Sequence, residues 1–86
     1  MGISYSKQFK KLYKKLPKKI QIAFDKRLEI FFENQKHPIL TMHKLHGKYR
    51  SLYSINVTAD IRAVFDKISA NEIEFVAIGS HSELYS

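Results

Sequence analysis

The residues of this chain best suited to moving protons are four histidines, at His37, His43, His46 and His81. An imidazole has a reference pKa of about 6.5, so it can take or give a proton near neutral pH. The spacing of His43 and His46 could suit two metal ligands, but the chain has no HExxH motif and no cysteine. General acid–base chemistry is therefore favoured, and we expect neither a metal nor a cofactor.

Cleavage of RNA is a reaction that such side chains can carry out without a metal ion. The 2′-hydroxyl of RNA is an internal nucleophile, so the protein supplies a base, an acid for the leaving oxygen and cations for the charged phosphorane. The chain contains 15 Lys and Arg against 8 Asp and Glu, a net charge of +7. This excess predicts a polyanionic partner such as nucleic acid, or an acidic protein; a basic domain with neither partner is the remaining alternative.

The first half of the chain is predicted to be helical. Residues 3–5 alternate briefly and indicate a short edge strand, and Ser6 offers an N-cap for a helix over residues 7–16. One side of this helix is apolar and the other is rich in lysine, which indicates either a solvated face or a contact with RNA. Pro17 ends the first helix and begins a second that runs to about residue 34.

The second half of the chain changes to a period of two. Residues 53–57, 61–65 and 73–77 alternate between apolar and polar types, with turns at 58–60 and 69–71. These are three antiparallel strands, followed by a tail over residues 80–85. The predicted fold is a single α+β domain over residues 1–86, in which a helical hairpin covers an antiparallel sheet of three long strands plus the edge strand.

The strand period predicts which residues face the helices. The expected core face consists of Ile61, Ala63, Phe65, Ile73, Phe75 and Ala77. Because successive side chains point to opposite faces of a sheet, Arg62, Ser54 and Asn56 are expected on the other face. A cross-strand ion pair between Arg62 and Glu74 is the alternative to a functional role for this arginine.

Three motifs over residues 42–85, about half the chain, carry a family resemblance. They are HxLxG at His43, Leu45 and Gly47, the D-x-R-x-x-F strand at Asp60, Arg62 and Phe65, and the ending IGSHSELY with Gly79, His81, Leu84 and Tyr85. In this order and spacing, after a lysine-rich helical hairpin, the chain resembles bacterial toxins of the RelE/ParE superfamily, particularly the YafQ-like branch.

The resemblance implies an endoribonuclease that cleaves mRNA, typically on the translating ribosome, and leaves a cyclic phosphate. It assigns stabilisation of the scissile phosphate to Arg62, acid or base catalysis to His81 and stacking or orientation of the substrate to Tyr85. His43 matches a further functional position of that branch and is expected to be catalytic. The residues expected to bind RNA are Lys44, His46, Lys48, Arg50, Asn56 and Asp60.

One departure from the family pattern bears on the rate of the reaction. The YafQ-like branch often has an aspartate and a histidine on the first long strand, where this chain has Ser54 and Asn56. A second proton-transfer group would then be His43, His46 or Tyr85. Two other functions stay open: a ParE-like gyrase poison, and a catalytically decayed toxin that still binds an antitoxin and operator DNA.

The partners follow from the charge and from the resemblance. A ribonuclease would harm its own cell, so we expect an acidic cognate antitoxin that holds the basic protein silent. The other expected partners are mRNA and the ribosome, with operator DNA reached only through the antitoxin complex. The chain shows no apolar run long enough to cross a membrane and no signal peptide, and we expect a cytoplasmic location in a bacterium or archaeon.

Overall fold

The structure is a computed structural model and describes residues 1–47 and 51–85. Its elements, in chain order, are β1 (Gly2–Tyr5), α1 (Lys7–Lys14), α2 (Lys18–Glu33), a 3₁₀ turn (Pro38–Leu40), β2 (His43–Lys44), β3 (Leu52–Asn56), β4 (Ile61–Ser69), β5 (Glu72–Ser80) and α3 (His81–Tyr85). The predicted α+β class, with a short first strand and two helices before three antiparallel strands, is confirmed. Within the described residues, no helix is long and apolar enough to span a membrane.

The first helix begins and ends where its local chemistry dictates. The Ser6 hydroxyl accepts the N–H of Phe9 at 3.0 Å, the N-cap bond that the sequence predicts. The helix ends at Lys14, two residues before the expected end at 16. A residue that precedes proline avoids the α conformation, so Pro17 excludes Leu16 from the last turn.

The strands form one five-stranded sheet with the order β1-β5-β4-β3-β2. The β3, β4 and β5 strands are antiparallel neighbours, as expected, whereas β1 lies parallel to β5 along one edge. Three elements were not predicted. The 3₁₀ turn follows α2, the two-residue strand β2 pairs with β3 at the opposite edge, and the residues expected to form a tail are the helix α3.

A β-bulge in β5 corrects one prediction about the core. Val64 pairs with Ala77 and the next residue, Phe65, pairs with Phe75, so Val76 is an extra residue in β5. An extra residue shifts the alternation of the strand by one position. Ala77, which was expected to face α1 and α2, therefore lies on the other face of the sheet.

The sheet consequently has two different buried faces. On the helix-covered face, the helices pack on β3, β4 and β5 through buried residues that include Phe9, Phe24, Phe31, Phe65, Phe75 and Ile78. On the opposite face, called here the cleft face, Ala77 packs in a smaller cluster with Leu45, Val64 and Leu84. The helix α3 supplies Leu84, so this face is partly covered rather than open.

Candidate active site

A cleft of about 470 Å³ opens on the cleft face where β2, β3 and β4 meet α3. Its lining residues are Thr41, His43, Lys44, Leu45, His46, Asn56, Arg62, His81 and Tyr85. All four side chains expected to be catalytic are among them, although they come from three separate segments of the chain. Lys44, His46 and Asn56 of the expected RNA-binding set also line the cleft. Lys48 and Arg50 lie outside the described residues.

Thr41 positions His43 and determines its tautomer. Thr41 has left-handed backbone angles (φ 47°, ψ 45°), uncommon for a residue other than glycine. Its carbonyl oxygen lies 2.9 Å from Nδ1 of His43. A carbonyl can only accept a hydrogen bond, so Nδ1 carries the proton and Nε2 of the neutral ring is the acceptor. A general base requires such a nitrogen.

Arg62 lies at the start of β4, with Asn56 of β3 opposite it. Its Nη1 atom donates to the carbonyl oxygens of Thr58 and Ala59 in the preceding turn, at 3.0 and 3.1 Å. These bonds fix the guanidinium at the rim of the cleft through one nitrogen. Glu74 lies opposite Asp66, several residues along the strand, and β5 presents Gly79 to Arg62. The sheet register therefore does not place Arg62 against Glu74.

A capping box begins α3 and brings His81 to the cleft. The Ser80 hydroxyl accepts the N–H of Glu83 at 3.2 Å, and Oε1 of Glu83 accepts the N–H of Ser80 at 2.8 Å. The backbone N–H of Ser80, and then its hydroxyl, lower the pKa of Glu83. His81 is the first helical residue, and its N–H donates to the carbonyl of Asp60 at 3.2 Å. The S-x-x-E spacing is a local signal for this helix that the sequence reading missed.

Asp60 differs from the other expected RNA-binding residues. It is exposed in the turn before β4 and does not line the cleft. Its backbone carbonyl accepts the N–H of His81. The type of a side chain cannot predict such a backbone contact.

Tyr85 is held between α3 and the sheet. Its ring lies edge-on to that of His81, one helical turn earlier, with 4.7 Å between the ring centroids. Its hydroxyl donates to Oγ of Ser54 at 3.3 Å. Ser54, which the sequence marked only as a departure from the family, is fully buried beneath the tyrosine. The sequence did not predict this contact, which ties the tyrosine to the sheet.

Imidazole, guanidinium, ammonium and phenol groups line the cleft together, at a surface open to solvent. No carboxylate is present among its described lining residues. The described part of the chain also holds no cluster of three His, Cys, Asp or Glu side chains able to bind a metal ion. Such a surface is suited to an anionic substrate and to proton transfer by histidine.

Known structures share this architecture along nearly the whole chain. The crystal structure of YafQ from E. coli strain BL21(DE3) has a TM-score of 0.77 at 21% identity, over 98% of this chain and 97% of that one. A YoeB/ParE toxin from Agrobacterium tumefaciens has a TM-score of 0.76 at 14% identity, over 94% and 99%. The toxin in the E. coli DinJ–YafQ toxin–antitoxin complex has a TM-score of 0.74 at 22% identity, over 98% and 96%. The fold is therefore that of the RelE-like toxins.

The family within that class follows from the sequence of the whole chain. Residues 1–86 match the family described as the bacterial toxin of type II toxin–antitoxin system, YafQ. The chain belongs to this family and is a toxin of a type II toxin–antitoxin system. No curated protein sequence matches it significantly.

Proposed function

We propose that this toxin is a metal-independent endoribonuclease that cleaves mRNA on the ribosome. The observation that carries the proposal is the convergence of His43, His81 and Arg62, from three separate segments, on one cleft without a carboxylate among its described lining residues. RNA supplies the nucleophile, so this set is sufficient for the reaction.

The proposed reaction is an internal displacement at one phosphate. Nε2 of His43 takes the proton of the 2′-hydroxyl, because Nδ1 already donates to Thr41. The 2′-oxygen attacks phosphorus, the bond to the 5′-oxygen breaks, and His81 gives that oxygen its proton. The products are a 2′,3′-cyclic phosphate and a 5′-hydroxyl. Arg62 stabilises the charge that grows on the phosphate oxygens in the transition state.

Four further residues are assigned to substrate binding. Lys44 and His46 contact RNA phosphates, and Asn56 lies beside Arg62, where it can donate to the substrate. Tyr85 stacks on a base or orients His81, with Ser54 holding its hydroxyl. Two more residues, Lys48 and Arg50, are assigned to RNA binding from the sequence alone.

Single-turnover cleavage on ribosomes programmed with a defined mRNA tests the function. We expect a fragment with a 2′,3′-cyclic phosphate, and its formation should survive a chelator in a ribosome-free assay. Binding should weaken as salt rises, with a slope of about −0.7 per phosphate neutralised. Intact mRNA together with inhibited gyrase supercoiling would support the ParE-like alternative, and intact mRNA with active gyrase would support a decayed toxin.

The proposed partner is an acidic antitoxin, because the chain carries a net charge of +7. One of the E. coli YafQ structures is a complex with the antitoxin DinJ, and a similar YoeB structure from Staphylococcus aureus is a complex with YefM. We expect operator DNA to be bound only through the antitoxin complex, and the toxin to act in the cytoplasm as a single domain. Co-expression with the acidic protein encoded next to it should relieve growth arrest; arrest that persists would contradict this assignment.

A further inference from the structure

A second cavity lies on the helical side of the molecule and has no assigned role. It has a volume of about 520 Å³ and is bounded by β1, α1 and α2. This cavity is called here the aromatic pocket. Its lining residues are Tyr5, Phe9, Lys10, Tyr13, Lys14, Phe24 and Asp25. None of them lines the catalytic cleft. β1 and β2 are the two edges of the sheet, so the pocket and the cleft are distinct sites.

Aromatic side chains form the floor and walls of the aromatic pocket. Phe9 and Phe24 are buried, with their centroids 5.4 Å apart, and Tyr5 and Tyr13 are half-buried on either side of Phe9. The rings of Phe9 and Tyr13 are inclined by only 23°. A wall of partly exposed aromatic faces is suited to stacking a planar ring of a ligand.

The rim of the aromatic pocket carries both signs of charge. Lys10 and Lys14 are exposed one turn apart on α1. On α2, Asp25 is exposed and accepts the hydroxyl of Tyr13 at 3.3 Å, which leaves further lone pairs on its carboxylate for a donor. Burial, and then the charge of Asp25, raise the pKa of Tyr5 and of Tyr13, so both phenols are neutral at physiological pH.

We propose that the aromatic pocket binds one unpaired nucleotide of RNA. The base stacks on the tyrosine rings, a flanking phosphate contacts Lys10 and Lys14, and the Asp25 carboxylate accepts an exocyclic amino group. Cytosine, adenine and guanine carry such a group and uracil does not. This proposal rests on the proposed function, because it takes the substrate or its ribosomal carrier as the ligand.

The geometry separates this nucleotide from the scissile bond. The aromatic pocket lies at the β1 edge on the face that α1 and α2 cover, whereas the cleft lies on the opposite face, where β2, β3 and β4 meet α3. The pocket therefore contributes to capture of a long or folded RNA rather than to chemistry. An acidic peptide fits it less well, since its carboxylate side chains offer no planar ring to stack on the tyrosines.

The first test compares variants in binding to a 2′-O-methyl RNA 12-mer, which lacks the nucleophile and cannot be cleaved. Tyr13→Leu should weaken binding roughly 5- to 150-fold, the effect of one lost base stack, whereas Tyr13→Phe keeps the ring and most of the affinity. Lys10→Gln/Lys14→Gln should weaken binding more than the matched pair Lys7→Gln/Lys11→Gln, which removes the same charge from the same helix outside the pocket. Equal losses for the two pairs, with Tyr13→Leu binding normally, would overturn the proposal.

The second test uses the unaltered protein, so it does not depend on how a variant folds. Oligocytidine should bind about 5-fold or more tightly than oligouridine, because the two pyrimidines differ in the amino group that Asp25 accepts. Asp25→Ala should abolish this preference. Equal binding of both RNAs refutes the assignment. Since neither test requires cleavage, a protein that binds as expected but cleaves no mRNA contradicts only the ribonuclease.

Discussion

The two faces of the sheet differ in the residues and elements that cover them. The helix-covered face is closed by α1 and α2 over a continuous cluster dominated by phenylalanine. The cleft face has only a small apolar cluster, a five-residue helix held by a capping box, and a buried serine beneath a tyrosine. The comparison indicates that folding stability comes mainly from one face, and the proposed substrate chemistry belongs to the other. Substitutions on the two faces should therefore affect different measurements.

The largest effect is expected for His81→Ala. Removal of one acid–base group should slow single-turnover cleavage by ~10²–10⁴-fold. The imidazole is exposed, so antitoxin binding and the melting temperature should change little. His37→Ala is the matched control, because this exposed histidine lies outside the cleft. Normal cleavage by the His81 variant would contradict this role, and His46 would then be the proposed general acid.

On the other face, Phe75→Ala should lower the free energy of unfolding by ~3–5 kcal/mol, the usual cost of removing a buried aromatic ring. Phe75 is fully buried and contacts the rings of Phe9, Phe24, Phe31 and Phe65. Phe32→Ala, at a position that is 52% exposed, should cost far less. Urea denaturation measures both values; similar losses would mean that the helix-covered face is not the main source of stability.

Arg62→Ala should slow cleavage by ~10²–10³-fold, the effect of one lost donor to transition-state charge. Lysine at this position should restore only part of the rate, because it keeps the charge without the planar fork. Lys67→Ala is the control, since it removes a charge from the same strand, above the Tyr53 ring and outside the cleft. Unfolding of the Arg62 variant at assay temperature would show instead that its bonds to the β3–β4 turn are structural.

Ser54→Ala should have a smaller effect, a few-fold loss of cleavage. The substitution removes the acceptor of the Tyr85 hydroxyl, and a hydrogen bond of this kind is worth ~0.5–1.5 kcal/mol. Tyr85→Phe should cause a loss of similar size, and the double variant should lose no more than either single one. Additive losses in this double-mutant cycle would show that the two groups act independently.

The smallest effect concerns pH and the cap of α3. The folded pKa of Glu83 lies below its ordinary value of 4.5, because the ionised carboxylate accepts the Ser80 N–H. A lowered folded pKa means that the cap stabilises the fold above the ordinary value and loses this contribution as pH falls through the folded pKa. The Ser80 amide resonance should report this titration in an NMR series, and Glu83→Gln should abolish it. A midpoint above the ordinary value would contradict the capping geometry.

Local signals predicted much of this molecule. The period of two identified β3, β4 and β5, and Ser6 and Pro17 marked the helix ends, because these preferences act over a few residues. The same period placed Arg62 on the face that α1 and α2 do not cover. The histidines were identified by their type, since few other side chains titrate near neutral pH.

Only the tertiary structure decided the rest. The bulge at Val76 moved Ala77 to the cleft face, and the pairing of β2 with β3 placed His43 opposite Ser54. The carbonyl of Thr41 selected the tautomer of His43, and Ser54 acquired its role from Tyr85, 31 residues later. These contacts depend on which strands become neighbours after folding, and side-chain type and spacing along the chain do not encode that choice locally.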